Sequence, residues 1–540
     1  MALDWADRRT AAPHRGRVHA GRSGLRTALA VLLLAIAIFA VFAVLALASG
    51  LSVQAGSSAL ANVSMPFTGG TVKNVSATGP GGRPIPVARR GNAIWPLTRL
   101  RPGEPVSVRV VVSRPGWIGW LAGATATSNV KLLTPSASVS QPYLTVAAGA
   151  PVVVAFDRPV SVVEYGQPGS AQTRVLAPPT SNFRLPSASP AGSIDVAASA
   201  RTWEQLPASS TVSWFPAGAG PSAVASPRPG STITPVSALT VTFSQPVANA
   251  LGGHTPSFSP YTSGTWRQLD AHTLVFHPSG FGFPMASTVR LDLPSGVRVA
   301  DAPGPAVWTV PAGSPERVRQ LLAELGYLPL RFTPSRSFQA ASAHAQARAA
   351  VDPPAGSFSW RWASTPGALH QLWGAQPATV TRAALMAFEN DHALTADGVA
   401  GPQTWHALLA AALARQSNAN GYTFVNVSEG SESLNLWHDG HVVLSTPVNT
   451  GIASAPTAVG TFAVYEHISS GTMSGTNPDG SHYNDPGVPW ISYFNGGDAL
   501  HGFTRAQYGF PQSLGCVEMP VGTAGRVWPY TPIGTLVNVY

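Results

Sequence analysis

Cys516 is the only cysteine in the 540-residue chain, and it sits in SLGCVEM, residues 513–519. A thiol attacks as its thiolate, and an ordinary cysteine ionises near pH ~8.5. A nucleophilic cysteine therefore needs a base in reach, and backbone N–H groups to hold the oxyanion that forms on the attacked carbonyl. His501, in ALHGF, lies fifteen positions upstream and is the candidate base. Gly515 lets the backbone come close to a substrate, and Ser513 supplies a hydroxyl. The competing role is that of a small apolar filler, common for a lone cysteine. One cysteine also excludes an internal disulfide framework and a lipid-anchored cysteine near the N-terminus.

Fifteen residues are too many for helix neighbours, so another element must bring Cys516 and His501 together. The last 120 residues read as strands. LNLWHDGHVVL is a hairpin closed at Asp439-Gly440, and GTFAVYEH and GTLVNVY are further strands. A β-turn-β excursion would then juxtapose thiol and imidazole.

His501-Gly502, followed by Ser513, Gly515, Cys516 and Val517, resembles the pattern of the L,D-transpeptidase (YkuD-type) catalytic domain over residues 420–540. TGIASAPTAVGTFAV, residues 450–464, resembles the strand segment of that family. Leu514 stands where the family commonly has His, and Glu518 where it commonly has Asn or Arg. A carboxylate at 518 that faces the site should disfavour the thiolate. The resemblance implies Cys516 as nucleophile, His501 as base, and the Gly502 carbonyl as the group that orients the imidazole. It places the oxyanion among the N–H groups of Leu514 to Cys516, with Ser513, Leu514 and Gly515 positioning the substrate. It implies acyl transfer on peptidoglycan stem peptides, with D-alanine released and a 3→3 cross-link formed. Neither cofactor nor metal is implied, and His438, His441, His467 and His482 lack zinc-type spacing with acids. An L,D-carboxypeptidase, or a non-catalytic wall-binding scaffold, remain the alternatives.

Upstream, SPERVRQLLAELGY has Ser314 as an N-cap, Pro315 at the first helical position and Gly326 past the end. A second helix begins near Thr379, and a third follows DGVAGPQ with Trp405, Leu408, Leu409 and Ala412 on one face. LTADGVAGPQTWHALL, residues 394–409, resembles the small three-helix peptidoglycan-binding domain, which sets residues 314–415 apart. Residues 327–378 are longer than such a compact domain needs, and they leave room for a modified ligand groove.

From 55 to 312 the chain is rich in Val, Thr, Ser, Pro and Gly, with alternating strands such as PVSVRVVVSR. VVVAFDRPV and WEQLPASSTVSWFP recur as LTVTFSQPV and WRQLDAHTLVFHP. That repeat points to two immunoglobulin-like β-sandwich modules, 142–222 and 226–312, behind a β-rich segment at 55–141. They read as stalk rather than chemistry.

Thr27–Ala48 carries no charge and is long enough to span a bilayer as a helix. Six arginines, Arg8 to Arg26, precede it, and no charged residue follows before Lys73. The asymmetry predicts a cytoplasmic basic tail at 1–26, a transmembrane helix at 27–49 and an extracytoplasmic remainder. A cleaved signal ending at Ala46-Leu47-Ala48 is the alternative. The expected architecture is multidomain: anchor, immunoglobulin-like modules, three-helix domain and a mainly-β catalytic domain at the plasma membrane, facing the wall. The net charge of +9 is spread over a chain with only 11% charged residues. With no basic stripe among aromatics, nucleic acid is not an expected partner.

Overall fold

The computed structural model describes residues 22–48, 50–65, 70–167, 169–186, 189–218 and 220–540. Most of the expected basic tail lies outside these residues. A helix runs Arg22–Ala48. Its stretch Leu25–Val44 has a mean hydropathy of 2.9, enough by length and composition to cross a membrane or to serve as a signal sequence.

The remainder falls into two compact units, and the division runs through residues 142–222. In the first unit one four-stranded sheet is built from Pro84–Ile85, Thr71–Thr78, Pro105–Ser113 and Thr125–Leu133. The expected alternation holds: Val106, Val108, Val110 and Val112 are buried while the residues between them face outward.

In the second unit, residues 222–310 form two sheets. Leu239, Val241 and Phe243 of one and Val289, Leu291, Trp308 and Val310 of the other share one apolar core. That core continues into the helices and on to Phe424, Trp437 and Leu536 near the C-terminus.

Ser314 caps the helix Pro315–Glu324 by accepting from the Glu316 N–H at 3.2 Å, and Gly326 follows with φ +85°. The helices Pro377–Asp391 and Pro402–Ala414 bury Phe388, Trp405, Leu408 and Leu409. Between them Glu389, fully buried, accepts from the Gly398 N–H at 2.8 Å and from Thr404 Oγ1 at 3.2 Å. One carboxylate thus ties the Asp397-Gly398 turn to the start of the next helix. Where three helices are expected over 314–415, five form. The long 327–378 segment folds into helices Ala343–Val351 and Gly367–Ala375, with a hairpin of Leu330–Pro334 and Gly356–Trp360. Tryptophans and phenylalanines that a loop would have to expose pack this insert against the same apolar core: Phe332 lies on Phe358, and Phe358 on Trp373.

Residues 420–540 contain a five-stranded and a four-stranded sheet. The first runs His441–Pro447, Ser433–His438, Thr423–Ser428, Leu536–Val539, Gly460–Ala463 in spatial order. Its expected hairpin turns at Asp439 (φ +45°) and Gly440 (φ +91°), the paired positive φ of a type I′ turn. The second sheet orders Glu466–Thr476, His482–Asn495, Asp498–Gly502 and Val517–Met519. Val425, Val427, Val537, Val539, Leu500, Val517 and Met519 fill the core between the two.

Candidate active site

His501 belongs to the strand Asp498–Gly502 and Cys516 immediately precedes Val517–Met519. These strands are parallel neighbours, with Leu500 opposite Val517 and His501 opposite Glu518. Extending that register by one residue sets Cys516 beside Ala499. Side chains alternate between faces along a strand, so Ala499, His501, Cys516 and Glu518 share one face. Cys516 and His501 are thus diagonal neighbours on adjacent strands.

The imidazole is almost fully buried. Its Nδ1 lies 3.1 Å from the Gly502 carbonyl. With Nδ1–H donating there, Nε2 is the unprotonated nitrogen. Burial, the largest influence, lowers the His501 pKa, and the Arg505 charge acts the same way; the Gly502 carbonyl, Glu518 and Asp485 oppose them.

The turn 513–516 closes on itself. Ser513 Oγ donates to the Cys516 carbonyl at 2.5 Å and accepts from the Gly515 N–H at 3.2 Å. Gly515 has φ +115°, and an added Cβ would lie 2.4 Å from Asp498 Oδ1. No larger residue fits that conformation and that space. With the Gly515 N–H turned inward, Leu514 and Cys516 hold the remaining backbone donors of the turn. The segment from 450 braces it: Gly451 bridges Ser513, and the Ile452 N–H reaches the Ser513 carbonyl at 2.9 Å.

Cys516 is half-buried, and its Sγ contacts the Gly497 carbonyl at 3.6 Å. Burial is the main cause that pushes its thiol up to about 12; the Ala499 N–H counteracts it, and Asp498 and Glu518 add to it. Both shifts favour the neutral forms, thiol and imidazole.

Sequence reasoning missed Arg505. It clasps the buried Glu518 with two bonds, Nε to Oε2 at 2.8 Å and Nη2 to Oε1 at 2.7 Å. Its guanidinium also lies 4.6 Å from the Phe503 ring centre. Glu518 does share the face of Cys516, as its spacing allows, and this arginine pairs its carboxylate. The sole signal for the pair was its opposite charge in a chain poor in charge.

Residues 420–539 match the family model of the L,D-transpeptidase catalytic domain, and residues 377–408 match that of a peptidoglycan binding domain. Among solved structures the chain is similar to an Enterococcus faecium L,D-transpeptidase with a cysteine-to-serine mutation. The identity is 23% over 25% of this chain and 62% of that one, with a TM-score of 0.21. The catalytic domain of the Enterococcus faecium enzyme matches at 26% identity over 23% of this chain and 100% of its own, TM-score 0.21. An L,D-transpeptidase from Mycobacterium smegmatis matches at 12% identity over 58% of this chain and 96% of its own, TM-score 0.20. The chain thus spans less than two thirds of the first of these. No curated protein sequence matches it.

Proposed function

We propose that this chain, which carries an L,D-transpeptidase catalytic domain behind a peptidoglycan-binding segment, cross-links peptidoglycan stem peptides through a Cys516 acyl-enzyme. The observation that carries this is the shared strand face of Cys516 and His501, with the imidazole Nδ1 committed to Gly502. Cys516 Sγ attacks the carbonyl of the third stem residue, a diamino acid, while His501 Nε2 takes the thiol proton. The N–H groups of Leu514 and Cys516 hold the oxyanion. The C–N bond to the terminal D-alanine breaks, and its nitrogen receives the proton from His501. The side-chain amine of a second stem then attacks the thioester, loses a proton to His501, and releases the thiol with a 3→3 amide bond made.

Both shifts oppose proton transfer at rest, so this route couples the transfer to attack on the carbonyl. A thiol raised by burial stays protonated until a carbonyl arrives, and a lowered imidazole stays an acceptor at neutral pH. The two sheets of residues 222–310 serve as an immunoglobulin-like spacer, and the Arg22–Ala48 helix holds the molecule at the plasma membrane with its tail in the cytoplasm.

The test is incubation of the full-length protein in detergent with purified disaccharide tetrapeptide, followed by mass spectrometry. Loss of D-alanine with a cross-linked dimer is the expected product. D-Alanine loss without dimer assigns the carboxypeptidase reaction instead. Intact substrate together with an unmodified Cys516 defeats the reading.

A further inference from the structure

Five uncharged polar side chains cross the entire five-stranded sheet in register. Ser445 pairs with Asn435, Asn435 with Asn426, Asn426 with Asn538, and Asn538 with Thr461. Side-chain hydrogen bonds join it in two stretches, 445–435 and 426–538–461. Ser445 Oγ donates to Asn435 Oδ1 at 2.5 Å, Asn538 Nδ2 to Asn426 Oδ1 at 3.0 Å, and Thr461 Oγ1 to Asn538 Oδ1 at 2.7 Å. Those bonds use each asparagine oxygen as an acceptor and leave the amide hydrogens of Asn435 and Asn426 for a ligand.

The row has a defined edge. Two residues back on the same face, Phe424, Trp437, Leu536 and Ala463 are covered by the helical segment. Between the row and the helix Gly367–Ala375, part of the insert at 327–378, runs a groove of about 550 Å³. Asn426, Asn538, Thr461 and Tyr540 form its floor, and Gln371 and Gln376 stand on its wall. Ala368, Leu372 and Ala375 give that wall an apolar strip. Among the described residues no charged side chain lines it. Stem peptides carry carboxylates, which such a groove would leave unpaired.

We propose that this groove binds a neutral, N-acetylated sugar chain. Carboxamides offer a donor and an acceptor to hydroxyls and to an acetamido group. The alanine and leucine strip takes the acetyl methyl, and the exposed Tyr540 ring offers a face for a sugar ring. In the polymer whose peptides the thiol site takes, the chain of this chemistry is the glycan strand. The choice of the glycan strand rests on the proposed function, whereas binding in the groove is tested apart from the thiol chemistry.

Titration of the full-length protein in detergent with the tetramer of N-acetylglucosamine, followed by calorimetry, tests it. Binding by the wild type is expected. Gln371→Ala, an exposed helical position that cannot unfold the sheet, and Asn426→Ala should each weaken it by about three- to tenfold, the worth of one or two neutral hydrogen bonds. The rate of Cys516 acylation by a carbapenem should stay unchanged in both. Absence of binding by the wild type, unaltered binding by Gln371→Ala and Asn426→Ala, or equal binding of cellotetraose would overturn the assignment. Failure of acylation alone would instead strike the proposed reaction and leave the groove standing.

Discussion

The two sheets of residues 420–540 treat polar side chains in opposite ways. In the four-stranded sheet, ionisable groups are buried: His501 and Glu518 are each under 5% exposed, and Cys516 lies half-covered on the same face. Across the five-stranded sheet a row of neutral polar groups lies near solvent, bonded in two stretches, 445–435 and 426–538–461. Desolvation shifts protonation equilibria, which chemistry uses. Neutral amides stay as they are at every ordinary pH, which suits recognition. The same backbone architecture supports both, and side-chain choice on each face separates them.

The largest effect expected on this division comes from Cys516→Ser. A serine hydroxyl has almost the volume of the thiol but is far less acidic. Turnover and carbapenem adduct formation should fall by about a thousandfold or more, while affinity for the sugar tetramer stays at the wild-type value. Thermal unfolding should shift by only a few degrees, the expectation for a near-isosteric change. Wild-type turnover in this variant would return Cys516 to the role of apolar filler.

A smaller loss is expected from Gly515→Ala. The added methyl meets Asp498 Oδ1 and must adopt φ +115°, so the turn has to shift. Displacing the oxyanion donors should lower the acylation rate by about a hundredfold. Circular dichroism should still report a folded sheet, and the sugar groove on the other sheet should be unaffected.

How far the sequence spoke differed between the two sheets for a physical reason. The His501 and Cys516 segments each carry several chemistry-bearing residues within a few positions, so the motif was legible before any fold was known. Ser314, Pro315 and the Asp439-Gly440 turn were legible too, because caps and tight turns are local. The neutral row was not. Its members, Asn426, Asn435, Ser445, Thr461 and Asn538, are scattered over more than a hundred residues, and register alone aligns them. Arg505 escaped for the same reason, since its partner sits on a strand thirteen positions away. The insert at 327–378 was noticed as length, but its helices and hairpin rest on aromatic contacts that periodicity does not reveal.

The Arg505–Glu518 pair offers a graded way to disturb the buried side alone. Asp485, Asp498, Glu518 and Arg505 are the charged groups that act on the thiol and the imidazole. Glu518→Gln removes a negative charge opposite His501 and leaves the guanidinium, so the pKa values of imidazole and thiol should both fall. Arg505→Gln leaves an unpaired carboxylate, so both should rise. The limbs of the acylation pH profile should move about one unit in opposite directions. A purely structural pair would lower rates in both variants without moving the limbs apart.

The smallest effect is expected at Leu514. It is half-buried close to Cys516, at a position where the resemblance to L,D-transpeptidases leads one to expect His. Its side chain supplies none of the hydrogen bonds that close the turn; those come from Ser513, the Gly515 N–H and the Cys516 carbonyl. Leu514→His should therefore preserve the turn and the Cys516–His501 register. A second imidazole near the thiol would ease its ionisation slightly, because the protonated ring is a cation. Acylation at pH 6 should rise by about twofold or less, and the gain should vanish above pH ~7.5, where an ordinary histidine is neutral. A gain of similar size at every pH would trace the effect to packing rather than charge. A large loss would mean that the leucine itself shapes the oxyanion turn, so that the reactive sheet depends on an apolar contact as well as on its buried charges.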